Sequence, residues 1–188
     1  MKYIILFFML FAVNMQAQKF RLKPSGFVNS DDNSKNYVVL EFPNQSQSDL
    51  FKKAMIYATK NYKSANNVVS KVDNEAITIN AISSIPIRRN ALHVFQNQYT
   101  IILSFKDGKI KVDAPIVNMT RFIDGEKKTL HVSWNRPVPL NESNVGVYGK
   151  DDKLKSEKAL EDLERFANEF LEKLKNGIES ESSANDDW

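Results

Sequence analysis

The chain contains no cysteine. That excludes thiol nucleophiles, thiolate zinc sites, iron–sulfur ligation and disulfide staples, so the fold rests on its own core. Histidine is almost as scarce, with only His93 and His131. Neither fits the two-histidine helical zinc spacing, and no metal or cofactor is expected. A glycine-rich phosphate loop and a nucleophile elbow around a serine are also missing. Charge of one sign is lacking too: 26 basic residues face 23 acidic ones, for a net charge of +3. Such a balance does not describe an obligate nucleic-acid binder. At 188 residues the chain has the length of one ordinary domain.

Long apolar runs are absent except at the start. Lys2 precedes an unbroken apolar stretch from Ile4 to Val13, and Ala17 follows shortly after. A basic residue, a short apolar core and a small residue form the layout of a secretory signal peptide. The core falls short of the roughly 20 residues that span a bilayer. Cleavage after Ala17 is expected, with export to the periplasm or the extracellular space as a soluble protein. With no cysteine behind the leader, a lipoprotein is excluded, and no later segment reaches transmembrane length.

Residues 18–36 are polar and carry Pro24 and Gly26, so they read as a flexible lead-in. A strand from Tyr37 to Phe42 ends at Pro43. Ser46 and Asp49 then have the outline of a capping box. Leu50, Phe51, Ala54, Met55, Ala58 and Tyr62 follow as one apolar helical stripe. Further on, Ile77, Ile79 and Ala81 alternate with polar residues, as do Tyr99, Ile101, Leu103 and Phe105. Asp107-Gly108 is the strongest hairpin signal in the chain, and Ile110, Val112 and Ala114 continue the alternation beyond it. Lys106, Lys109 and Lys111 flank that turn, near Arg88 and Arg89 if the strands pair in order. Lys109 and Lys111 lie opposite the apolar face that carries Tyr99 and Phe105, which suits a solubilising role.

Asp124 to Lys128 reads as a polar turn, and residues 129–152 as a loop insertion. Leu160, Leu163, Ala167, Phe170 and Leu174 mark the clearest helix, with Asn176-Gly177 as its stop. Residues 177–188 form an acidic tail expected to be disordered. The order of elements predicts an α+β domain over residues 37–176. Its expected form is a curved antiparallel sheet of about five strands with two helices packed on one face.

The helix from Phe51 to Tyr62, the segment Lys63-Ser64-Ala65-Asn66-Asn67-Val68-Val69 and the hairpin through Asp107-Gly108 carry a resemblance. Residues 36–122 and the helix over 156–175 resemble an uncharacterised domain family with a TBP-like (TATA-binding-protein-like) fold, found in exported proteins of Gram-negative bacteria. The resemblance implies that fold. It implies no activity and no site residues, and the fold name carries no DNA-binding function. Members often have a glycine in the second strand, where this chain has Thr78-Ile79-Asn80-Ala81-Ile82.

The functional expectation is a noncatalytic exported domain that binds a protein, a peptide or an envelope glycan through an exposed loop or the open sheet face. Nucleic acid is not expected as a partner. Trp134, Arg136 and Leu140 are the candidate contact residues, since aromatics and arginine favour interfaces. The alternative is a hydrolase or small-ligand protein with a pocket that includes His93 or His131. Self-association through Leu163 and Phe170 is a third expectation.

Overall fold

The computed structural model describes residues 18–62, 68–134 and 146–183. Its first element is a hairpin of β1 (Phe20–Lys23) and β2 (Gly26–Asn29), joined by a turn in which Gly26 has φ +118°. The segment expected to be a flexible lead-in is therefore ordered. Phe20, Leu22 and Phe27 are its only large apolar residues, and all three are buried. The free edge of β1 is covered by side chains of the last helix. The Phe20 N–H donates to Asn168 Oδ1 at 2.8 Å, Asn168 Nδ2 donates back to the Phe20 carbonyl at 3.0 Å, and the Leu22 N–H donates to Glu164 Oε1 at 2.9 Å. Edge strands left bare invite aggregation.

Strand β3 (Tyr37–Glu41) leads to helix α1 (Gln47–Asn61). Ser46 caps α1 as its spacing predicts: its Oγ accepts from the Asp49 N–H at 3.1 Å and lies 2.7 Å from Asp49 Oδ2. The strands that follow are β4 (Val69–Val72), β5 (Ala76–Ile82), β6 (Ile87–Arg88), β7 (Val94–Lys106), β8 (Lys109–Asp113), β9 (Ile116–Ile123) and β10 (Glu126–Ser133). The chain closes with β11 (Gly146–Tyr148), a short 3-10 turn (Lys150–Asp152) and helix α2 (Glu157–Ser183).

Strands β3 to β11 form one sheet of nine strands, with β10 and β11 parallel and the other pairs antiparallel. The expected curved antiparallel sheet of about five strands is corrected to this open, mixed, nine-stranded one, whose strand order ends at β11 and at β4 without closing. Two causes account for the difference. Pro86 interrupts β5/β6 and Pro115 interrupts β8/β9, yet both halves of each interrupted strand pair with the long β7. Proline removes a ladder donor without ending the direction of the chain. The expected loop over 129–152 also contributes strand at both ends, in β10 and β11.

Both helices lie on the same face of the sheet. Phe51 of α1 meets Phe105 edge-on at 5.5 Å, and Phe166 of α2 meets Tyr99 at 4.9 Å. Such aromatic pairs add roughly 0.5–1.5 kcal/mol each beyond area burial. Leu163 (0% exposed) and Phe170 (7%) belong to this core, so self-association through them is corrected: the stripe is spent on the chain's own sheet. Helix α2 also runs past its expected stop at Gly177. A Cβ there would come within 2.4 Å of the Tyr57 ring, so glycine serves a close crossing of α1 and α2. The tail expected over 177–188 is helical as far as Ser183.

Four polar side chains are buried in the described residues: Asn29, Asn97, Ser156 and Asp162. Three are well bonded. Asp162 receives Arg88 Nε at 2.8 Å, Arg88 Nη2 at 2.6 Å, the Arg88 N–H at 2.9 Å and Arg165 Nη2 at 2.7 Å. Asn97, on the helix side of β7, has no partner for either side-chain atom.

Candidate binding surface

The face of the sheet opposite the helices carries no described element. Strand alternation places on it Asn80 of β5, Gln96, Gln98 and Thr100 of β7, and Asn118 and Thr120 of β9. Register sets Gln98 beside Asn118 and Thr100 beside Asn80, whose Oδ1 accepts the Thr100 hydroxyl at 2.6 Å. Ile82, Ile102, Ile116 and Phe122 break up this row with exposed apolar area. The row itself is uncharged. Beside it, β3 and β8 carry the Lys109–Glu41 and Lys111–Asp113 ion pairs, with Lys106 next to them, and Lys127 lies at the other end of the face.

His131 and Trp134 border the face. His131 lies on the open side of β10, and the Trp134 ring sits 4.9 Å from its centroid, tilted by 36°. The Trp134 N–H donates to the Tyr148 carbonyl at 3.1 Å, which fixes the ring beside β11. Trp134 is half-buried, and its Nε1 has no partner among the described residues. The expected sites Arg136 and Leu140 lie outside the described residues.

The two histidines do not meet. His93 continues the helix-side alternation ahead of Phe95, whereas His131 is on the opposite face. His93 Nδ1 lies 2.8 Å from Asn90 Oδ1. Burial, and then the charges of Arg121 and Arg89, hold its imidazolium below the usual range. Among the described residues, no group of three His, Asp or Glu is placed to hold a metal ion. The expected approach of the hairpin lysines to Arg88 and Arg89 is also corrected. Arg88 pairs with Val94 at one end of β7, and Lys109 pairs with Lys106 at the other, about 40 Å away at 3.3 Å per residue.

A cavity of about 270 Å³ opens on the helix side between α1, α2 and the end of β5. Tyr57, Tyr62, Tyr99, Phe166 and Phe170 line it, and the Tyr62 and Tyr99 hydroxyls are hydrogen-bonded at 2.9 Å. Burial pushes these phenols up, that of Tyr57 to about 12, so they stay neutral at physiological pH. Alternation alone puts Tyr99 on the core face, but it carries no signal for a gap beside the ring.

The comparisons with known proteins follow this architecture. Residues 37–119 match the model of a domain of unknown function (DUF4468) with TBP-like fold. Over that span the chain is similar to this family, which has no assigned function. Among solved structures, the chain resembles a TBP-like protein from Parabacteroides distasonis. That likeness has 17% identity and a TM-score of 0.52, and covers 76% of this chain and 90% of that one. A DUF4468 family protein from Bacteroides ovatus is similar at 15% identity and a TM-score of 0.50, covering 76% of this chain and 84% of that one. Both likenesses concern the fold. Among curated proteins there is no match to the chain. The matched span runs from β3 into β9, so it includes most of the uncharged row and excludes Trp134. Among the described residues, no helix is long and apolar enough to cross a membrane.

Proposed function

We propose that this chain is an exported, noncatalytic binding domain whose ligand, an extended neutral glycan of the cell envelope, lies across the open face of the sheet. The observation that carries this reading is the uncharged amide and hydroxyl row across β5, β7 and β9, beside which the β8 charges are paired among themselves and with β3. Amides and hydroxyls can each donate and accept, which matches the hydroxyls of a sugar chain. The His131–Trp134 pair supplies a ring surface at the border of the row, suited to the apolar face of a sugar. A hydrolase reading would need His93 or His131 beside carboxylates in one pocket, and neither lines the described cavities beside α1 and α2.

Native-gel retardation in soluble envelope polysaccharides tests the reading. Trp134→Ala combined with Gln98→Ala should weaken retardation about tenfold, the scale of losing an aromatic anchor and its neighbour. Equal migration of wild type and variant in every polysaccharide would sink it, and retention on an envelope protein instead would point to a protein partner.

Export rests on the leader at residues 1–17. The fold makes use of the residue directly after the proposed cut: Gln18 Oε1 accepts from the Val39 N–H at 3.0 Å and from Asn29 Nδ2 at 3.2 Å. Expressed in a Gram-negative host, the protein should appear in the periplasm or medium with a mass that begins at Gln18. A cytosolic product retaining Met1 would refute export.

A further inference from the structure

At the end of the sheet where β6 and β7 meet, on the helix side, positive charge gathers without matching acid among the described residues. The Arg89 N–H donates to the His93 carbonyl at 2.8 Å, so these two residues stand opposite each other, one step beyond the Arg88–Val94 pair. On the next rank, Arg121 lies over the Phe95 ring at 5.2 Å, and its Nη1 reaches the Leu92 carbonyl at 3.2 Å. Lys128 is the β10 partner of Arg121, but Glu126 holds its ammonium at 2.8 Å. Arg89 and Arg121 have no such acid among the described residues. Both are half-buried, and the Nε of each is buried without a partner. Helix α2 adds the positive end of its dipole, because Ser156, which caps it, donates its hydroxyl to the Arg89 carbonyl at 2.6 Å. Arg88, one residue away, shows the contrast, since Asp162 and its two oxygens satisfy it.

Buried charge without a counter-ion is costly, and a planar guanidinium with free N–H groups matches an oxyanion. We propose that Arg89 and Arg121 form a binding site for a phosphate-class oxyanion, with His93 at its side. Burial lowers the Arg89 guanidinium from its usual value, and the two arginines help to depress His93. A bound oxyanion would relieve both effects. One exposed apolar side chain, Leu92 (84%), stands beside the site, so the phosphate can come from solution or from a lipid headgroup.

The two histidines make the test direct, because His93 reports on the site and His131, on the other face, is the internal control. In histidine NMR, inorganic phosphate at matched ionic strength should raise the His93 titration midpoint and leave His131 in place. Vesicles of phosphatidylglycerol, against phosphatidylcholine, form the second arm. Binding in the first arm assigns a soluble ligand, and binding in the second alone assigns a headgroup. Arg89→Gln or Arg121→Gln should weaken binding at least tenfold, and Arg121→Lys, which keeps the charge but loses the fork, by several-fold. Lys106→Gln with Lys109→Gln, at the far end of the sheet, should bind as wild type. A His93 signal indifferent to both phosphate and phosphatidylglycerol overturns the site, as does undiminished binding by folded Arg89→Gln and Arg121→Gln proteins. The site and the glycan face are on opposite sides of the sheet, so each can fail alone.

Discussion

Arg88→Ala should lower the unfolding free energy by about 3 kcal/mol, the low end of the range for breaking a buried ion pair. The reason is the asymmetry of the pair. Asp162 is almost fully buried, at 1% side-chain exposure, whereas Arg88 is 42% exposed. Removing the arginine strands a buried carboxylate with Arg165 alone. Removing the charge by Asp162→Asn leaves an arginine that can turn to water, and should cost roughly 1–2 kcal/mol. Urea unfolding would show both as lower midpoints with an unchanged slope. Equal losses for the two variants would contradict this account.

The same pair predicts a pH signature. Burial pushes the Asp162 carboxyl up, but the Arg88 hydrogen bonds and the charges of Arg88 and Arg165 outweigh it, and the net shift is below the ordinary 3.8. A depressed carboxyl stabilises the fold above its unfolded value, and that contribution is lost as pH falls through the folded value. Without Arg88, burial dominates and the sign reverses. The deficit of Arg88→Ala should therefore be largest near neutrality and shrink as the pH approaches 3. A deficit constant from pH 7 to 3 would mean that packing, and not charge, holds α2 to β6.

Asn97→Leu should have the opposite effect and stabilise the protein by about 1–2 kcal/mol. Asn97 is 0% exposed, flanked on its strand by Phe95 and Tyr99 and paired across the ladder with Met119. Its amide has no hydrogen-bond partner for either atom. A buried unsatisfied amide costs on the order of 1–3 kcal/mol, and leucine has nearly its shape. The measurement is the urea midpoint together with thermal melting, both of which should rise. A loss of stability in Asn97→Leu would indicate that the amide holds an internal water molecule, as buried polar groups often do.

How much of this was legible in the residues depends on the range of the interaction. The cap at Ser46, the turn at Asp107-Gly108 and the alternation from Tyr99 to Phe105 are local, and each is found where its spacing puts it. The α2 stripe is local too, but its destination is not. Leu163 and Phe170 look the same in sequence whether they meet a sheet or a second chain. Gly177 is read as a stop because its neighbours in sequence are visible and Tyr57 is not. Pro86 looks like the end of a strand, since nothing local reveals that β7 is long enough to pair with both halves. On the candidate surface, Trp134 could be chosen by residue type alone. The uncharged row needs the register of three strands before it becomes a row, and the Arg89–Arg121 pair needs the register of β6, β7 and β9.

The side-chain clamp on β1 ties the beginning of the fold to its end. Phe20 bonds to Asn168 and Leu22 to Glu164, across separations of 148 and 142 residues. A chain made from its N-terminus exposes its first hairpin long before these helical partners exist. The clamp on the hairpin edge therefore closes only when synthesis is nearly complete. A polypeptide threaded through a secretion pore has to remain extended until its tail follows. On the export proposed above, delaying closure at this end would keep the chain threadable for most of that passage.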